Sequence, residues 1–291
     1  MFKYDYYRAG TMDEVCETLA RYQGKARIVA GGTDIMVQIR EKDKRWKELE
    51  CLLDVSFLET DLRYIQEKGE QIHIGALTTH TDLERSEVIR KWIPFLGKAA
   101  STVGSPQIRN RGTIGGSICN GSPAADPLTP LIALEAKVVI RGKDGERQMV
   151  LKDFYTSQGK VALKEDEFVK EFIVKKLPKG TCTGFAKLGR RKALAISRLN
   201  VSAALGFDKE GKINFARIAP GCIFSTPDRV ETAEQVLIGK KPSEELWKAA
   251  GKAVSEEMIR RTGIRWSTEY KQPAVEAIVE DALAECVYLE Q

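Results

Sequence analysis

Residues 104–126 carry glycine at 104, 112, 115, 116 and 121, with Ser105, Thr113, Ser117 and Ser122 set among them. A backbone without Cβ atoms can approach a ligand closely and adopt φ > 0. Successive N–H groups in such turns make anion-binding concavities, to which hydroxyls add donors. The rest of the chain is organised around this stretch. Between Val88 and Ala125 there is no Asp or Glu, although the chain holds 41 of them, while Arg90, Lys91, Lys98, Arg109 and Arg111 all fall inside the window. The window closes on Asp126, a lone carboxylate able to accept hydrogen bonds from sugar hydroxyls. One reading is a cradle for a phosphate-bearing cofactor with a ribose anchor. The other is a glycine-rich surface loop with solvated arginines, and this stretch alone leaves both open.

With 291 residues, 43% of them hydrophobic, the chain is expected to form one large domain or two to three small ones. No apolar run approaches the ~20 residues that cross a bilayer. The first eight residues lack an apolar signal core, so a cytoplasmic protein is expected. A net charge of +5 is mild and fits a local anion site better than a nucleic-acid surface. Six dispersed cysteines contain no Cys-x-x-Cys pair, and His73 and His80 read as satisfied strand-end residues. No metal site is expected.

Thr11 and Glu14 have capping-box spacing and open a first helix. Residues 26–30 read as a buried strand that breaks at Gly31-Gly32, after which Thr33 and Asp34 cap a helix running towards Trp46. Strand, glycine pair and helix N-terminus together aim N–H groups at an anion. Residues 52–55 read as a strand parallel to the first. Residues 62–65 and 72–77 form a hairpin about Gly69, and Thr81 and Glu84 form a second capping box that starts helices reaching about Val103. A helix over 127–134 follows, then strands over 137–141, 148–151 and 167–175. A boundary near residues 177–180 precedes strands at 183–188, 203–207 and 213–219. Helices over about 243–259 and 268–289 close the chain, the second interrupted or delayed by Pro273. The expected class is α+β: residues 1–177 with lobes of about 1–56 and 57–177, then a C-terminal domain over 178–291. Neither glycine pair belongs to a Gly-x-Gly-x-x-Gly fingerprint or a phosphate loop, which counts against a Rossmann site and an ATPase. Two cradles on separate lobes suit a pyrophosphate held between them.

Ile28-Val29-Ala30-Gly31-Gly32-Thr33-Asp34, with residues 107–117 and 120–126, resembles the FAD-binding subunit of the molybdenum hydroxylases. Residues 159–163 and 185–191 extend the match along nearly the whole chain. Pro106-Gln107-Ile108-Arg109-Asn110 and Ile118-Cys119-Asn120-Gly121 look closest to bacterial xanthine dehydrogenases with separate subunits. The resemblance implies a two-lobed fold of the vanillyl-alcohol-oxidase (PCMH) type, followed by a C-terminal domain of antiparallel sheet plus helices. It implies FAD wrapped at the pyrophosphate by Ile28, Val29, Ala30, Gly31, Gly32, Thr33, Asp34 and Ile35. Thr113, Gly116, Ser117 and Asn120 bind phosphate from the other lobe, Asp126 holds ribose, and Val103 and Gly104 line the cofactor. Phe168, Val169 and Lys187 sit near the flavin or adenine. Ser117 stands where some relatives carry Asn, so its contact is expected through the backbone. The cationic stretch 187–192 either stabilises reduced flavin or is a solvated turn.

The implied role is electron transfer: iron–sulfur clusters on one partner pass electrons through this FAD to NAD, while a molybdopterin partner hydroxylates a purine or another N-heterocycle. A related hydroxylase acting on an aromatic or on carbon monoxide is the alternative within the family. The assembly is a heterotrimer able to dimerise, with no nucleic acid and no membrane. Rival readings are a nucleotide-binding scaffold, which would purify without flavin colour, and a stand-alone flavin oxidase. The oxidase lacks an evident acid/base pair near the loops.

Overall fold

The computed structural model describes residues 3–288; Leu289, expected to end the last helix, lies outside them. The first lobe places β1 (Asp5–Arg8), β2 (Ala26–Val29) and β3 (Cys51–Asp54) in one parallel sheet of order β1-β3-β2. Helix α1 (Met12–Tyr22) makes the crossover from β1 to β2, its Thr11 hydroxyl accepting from the Glu14 N–H. The crossover from β2 to β3 is α2 (Ile35–Arg40) and a short turn of 3-10 helix, Lys44–Trp46. Val15, Leu19, Leu53, Leu58 and Leu62 fill this lobe's core, and Phe168 inserts into it from the second lobe.

In the second lobe, α3 (Glu59–Leu62) leads into the antiparallel pair β4 (Ile65–Lys68) and β5 (Gln71–Gly75). Three short helices follow: α4 (His80–Arg85), α5 (Glu87–Trp92) and α6 (Pro94–Ser101). The glycine-rich stretch contains two more, α7 (Pro106–Arg109) and α8 (Ile114–Cys119), before α9 (Leu128–Ala133). Strands β6 (Lys137–Gly142), β7 (Gly145–Val150) and β10 (Phe168–Lys175) join the hairpin in a five-stranded antiparallel sheet of order β4-β5-β10-β6-β7. A small pair, β8 (Tyr155–Ser157) and β9 (Lys160–Val161), lies outside it. Ile72, Ile74, Val138, Ile140 and Phe172 pack beneath Leu83, Phe95 and Leu96.

The C-terminal part is an antiparallel sheet of β11 (Cys182–Gly189), β12 (Ser197–Phe207) and β13 (Ile213–Gly221). It is covered on one face by α10 (Glu231–Leu237), α11 (Glu244–Thr262) and α12 (Thr268–Tyr288). Strand β12 alternates accordingly. Leu199, Val201, Ala203 and Leu205 enter the core under the helices. Ala204, on the opposite face, joins Phe185 and Ala219 in the core of the second lobe.

Several local expectations shift. The second capping box is Thr79 with Asp82, since Asp82 accepts from the Thr79 N–H while Thr79 accepts from the Asp82 N–H. Residues 59–62 are helical, so the hairpin begins at Ile65. The residue pattern missed β1, which is exposed along its length and carries no buried alternation. Pro273 is accommodated within α12. Its missing N–H removes one intrahelical bond, the one that would reach the Glu269 carbonyl. The Gly115-Gly116 segment, expected as an open loop, is the first turn of α8.

Candidate cofactor site

The two glycine loops meet. A Cβ built on Gly31 would lie 1.9 Å from the Arg111 carbonyl oxygen and 3.0 Å from the Gly112 nitrogen. Only glycine permits this approach, and it joins the end of β2 to the turn that precedes α8. A second link crosses the lobes beside it, where the Gln38 amide donates to Asn120 Oδ1 at 3.4 Å.

On the first-lobe side, β2 ends at Val29 and α2 begins at Ile35. Gly32 between them adopts φ +72°, a left-handed conformation that glycine adopts without strain. Among the described residues, the backbone N–H groups of Gly31, Gly32, Thr33 and Asp34 donate to no protein acceptor. They form a cluster of free donors at the junction of the lobes, the kind of backbone concavity that takes an anion. Asp34 makes no side-chain cap, and burial raises its pKa. Ile28, Val29, Ala30 and Ile35 flank the turn, half-buried.

The second-lobe side is built differently. In the first turn of α8, Ile114 donates to Thr78 O and Gly115 to Ala76 O, both at 2.9 Å. The Gly116 N–H donates to the Thr113 hydroxyl at 3.1 Å and that of Ser117 to Thr113 O at 2.9 Å. The backbone contact expected from Ser117 is therefore spent inside the helix, as is that of Gly116. What this side leaves for a ligand is side chains, the half-buried Ser117 and Asn120, with the Thr113 hydroxyl buried behind them and accepting from Gly116. The two glycines also part company. A Cβ on Gly115 would lie 2.7 Å from Ala76 O, whereas one on Gly116 would meet only Thr113 Oγ1, at 3.0 Å. Neither has positive φ; Gly104 (φ +46°) and Gly121 (φ +69°) do.

Asp126 is the hub rather than a lone carboxylate. It is 4% exposed and both of its oxygens accept from the protein. Ser197 Oγ (2.6 Å) and Asn200 Nδ2 (3.1 Å) donate to Oδ1, and Thr102 Oγ1 (3.0 Å) and Lys187 Nζ (2.5 Å) to Oδ2. Lys187 also donates to Thr102 O at 3.0 Å. Thr102 is thus held by Asp126 and Lys187, and the following Val103 O and Gly104 O accept weakly from Arg109, itself paired with Glu84. Phe168 and Val169 stand apart: both side chains are withdrawn into cores, so they offer a ligand only backbone.

Two residues were not singled out by their types, and a third, His80, expected as a satisfied strand-end residue, is instead the first residue of α4. Ser197 and Asn200 come from β12, far along the chain. His80 packs against Gly112, a Cβ there lying 3.1 Å from His80 Cδ2. Its Nδ1 is buried without a partner, unlike that of His73, which faces Glu171 at 3.0 Å. Burial lowers the pKa of His80 to about 4, with Asp126 opposing and Arg109 adding to the effect. The imidazole is neutral at pH 7. Burial pushes the Cys119 thiol up to about 12, which leaves it an inert neighbour of the loop.

Residues 2–176 match the family model described as the FAD binding domain in molybdopterin dehydrogenase. The chain belongs to the FAD-binding subunits of the molybdenum hydroxylases. Residues 185–286 match the CO dehydrogenase flavoprotein C-terminal domain. The chain is 34% identical to the nicotinate dehydrogenase FAD-subunit of Eubacterium barkeri, over 96% of this chain and 94% of that one. It is 31% identical to the xanthine dehydrogenase FAD-binding subunit of Escherichia coli O157:H7, over 97% and 95%. A solved carbon monoxide dehydrogenase from Hydrogenophaga pseudoflava superimposes with a TM-score of 0.87 at 29% identity, covering 98% of this chain and 97% of that one.

The FAD-binding subunits have a two-lobed domain of the vanillyl-alcohol-oxidase type followed by a sheet-and-helix domain, and the cofactor of this one is FAD. Its residues fit that group. Free N–H donors at 31–34 suit a pyrophosphate, Gly116 is exposed at the start of α8, and Lys187 is held beside Asp126. When bound, FAD supplies the redox chemistry, and the chain supplies orientation and charge. Among the described residues, no cluster of His, Cys, Asp and Glu is placed to hold a metal, and no helix is long and apolar enough to cross a membrane.

Proposed function

We propose that this subunit takes electrons from iron–sulfur clusters on a partner chain and delivers them through FAD to NAD, while a molybdopterin partner hydroxylates an N-heterocycle. The observation that carries the cofactor placement is the row of free N–H groups at Gly31–Asp34, brought by the Gly31–Arg111 contact against the second lobe. In this reading residues 28–35 wrap the pyrophosphate, and the side chains of Thr113, Ser117 and Asn120 reach the phosphates. Asp126 anchors a sugar hydroxyl through Oδ2, beside Lys187, Val103 and Gly104, and the backbone at Phe168 and Val169 borders the cofactor. The lobes divide near residue 56, and the C-terminal domain begins near 178.

Relatives named for nicotinate, xanthine and caffeine dehydrogenases support an N-heterocyclic substrate, with purines and pyridine carboxylates the classes to try first. A carbon monoxide dehydrogenase medium chain is 29% identical, so the substrate is set on the molybdenum partner rather than here. The isolated chain, loaded with FAD, should oxidise NADH with an artificial acceptor. Under anaerobic conditions xanthine or nicotinate should leave its flavin colour unchanged. Adding the iron–sulfur and molybdopterin chains should restore electron flow from heterocycle to NAD. Bleaching by a heterocycle without partners would overturn the relay and favour a stand-alone oxidase.

A further inference from the structure

Ser197 and Asn200 both donate to Oδ1 of Asp126, although they are three residues apart on one strand. In a regular strand residues i and i+3 face opposite sides of the sheet. The β11–β12 ladder resolves this with an irregularity. Leu188 pairs with Leu199 but Gly189 pairs with Ser197, so Arg198 is an extra residue on β12. Such a bulge re-aims the side chains on one side of it, and here it turns Ser197 to the face that carries Asn200 and Ser202. Ser202 looks the same way, donating to the Thr129 hydroxyl at 2.9 Å.

The orientation of Asn200 is held at a cost. It is fully buried and its Oδ1 has no partner. Reversing the amide would put that oxygen against the Asp126 carboxylate, so the NH2 must face Asp126 and leave Oδ1 unsatisfied. Oδ1 lies 2.2 Å from where a Cβ on Gly221 would stand, so β13 makes room for this amide with glycine. A surface that served only to dock the sheet on the second lobe would do better with apolar side chains. The bulge, the orphaned oxygen and Gly221 all serve one end, two donors on one carboxylate oxygen. The other oxygen, Oδ2, is bound by the part-buried Thr102 and Lys187.

We propose that Ser197 and Asn200 are positioning residues for the cofactor: they fix Asp126 through Oδ1 so that Oδ2 faces a sugar hydroxyl of FAD. Three of the anchor's four donors, Lys187, Ser197 and Asn200, then come from the C-terminal sheet, outside the segment matched as the FAD-binding domain. This rests on the reading of Asp126 as a sugar anchor. The test is a double-mutant cycle on the full-length chain, with FAD affinity read by equilibrium titration of flavin fluorescence. Ser197→Ala should weaken FAD about tenfold, and Ser197→Thr, which keeps the hydroxyl, should bind like the parent. In an Asp126→Asn background, Ser197→Ala should add less than about twofold, because its effect passes through the carboxylate. A full, additive loss in that background, or no loss in the single variant, overturns the proposal. Parental affinity in Asp126→Asn alone would remove the anchor reading itself, and this proposal with it. Should Ser197→Ala fail to fold, Asn200→Ser enters the same cycle with the same expectation.

Discussion

The carbonyl oxygen of Arg111 stands over Gly31 so closely that a Cβ at position 31 would sit 1.9 Å from it. This single approach brings the end of a parallel strand in one lobe against the turn before α8 in the other. It explains why a glycine is needed at 31 even though its φ is not left-handed. The contact between the lobes thus lies at the first of the free donors of residues 31–34.

Gly31→Ala should therefore disturb both. Overpacking against backbone that cannot swing aside costs about 1–3 kcal/mol. Calorimetry should show a lower melting temperature, and the purified variant should carry less flavin than the parent. Parental stability with full flavin would mean that the lobes do not close on this contact.

Gly115 and Gly116 should separate fold from cofactor. Gly115→Ala drives its Cβ into Ala76 and should destabilise the apoprotein by about 1–3 kcal/mol. Gly116 is exposed, so Gly116→Val should change stability by no more than about 1 kcal/mol. Its flavin content should nonetheless fall, because the new side chain projects beside Thr113 where phosphate is proposed to lie. Comparing chemical denaturation with flavin absorbance decides between the two effects.

Lys187→Met should be more damaging than its half-buried position suggests. It leaves Asp126 buried with its charge unmatched, a loss of about 3–5 kcal/mol when one partner of a buried pair is removed. Lys187→Met with Asp126→Asn should recover part of that stability without recovering FAD affinity. Recovery of both would place the pair outside the cofactor site.

His80 gives the chain a pH dependence. Its pKa is about 4 in the folded protein and near 6.5 in an unfolded chain. Above pH 6.5 both states are neutral and stability is full. As pH falls from 6.5 to 4 the unfolded chain takes up a proton that the native state refuses, so stability falls by at most about 3 kcal/mol. Below pH 4 this contribution is flat. His80→Gln should remove the slope in that window, measured by urea denaturation at a series of pH values.

Much of the site was legible where function is carried by short-range pattern. The order of strand, Gly31-Gly32 and helix needs only neighbouring residues, and the structure has N–H groups without a protein acceptor at that turn after β2. Gly115 and Gly116 looked alike because both are glycines in one turn, yet one packs on Ala76 and the other faces outward, a difference made by β5 and its following turn. Asp126 read as solitary because three of its four donors lie 61 to 74 residues downstream and the fourth, Thr102, 24 residues upstream. The bulge that turns Ser197 towards it leaves no mark in hydrophobic alternation. His80 was expected to be satisfied, and its unpartnered Nδ1 emerges only from packing under Gly112.

The most direct test of the account is backbone hydrogen exchange of the full chain with and without FAD. Residues 31–34 have no protein acceptor, so their amides should exchange rapidly in the apoprotein and become strongly protected when FAD binds. The first-turn amides of α8, already bonded within the protein, should change far less. Unaltered exchange at 31–34 alongside FAD-induced protection elsewhere would contradict the cradle at the junction of the two lobes.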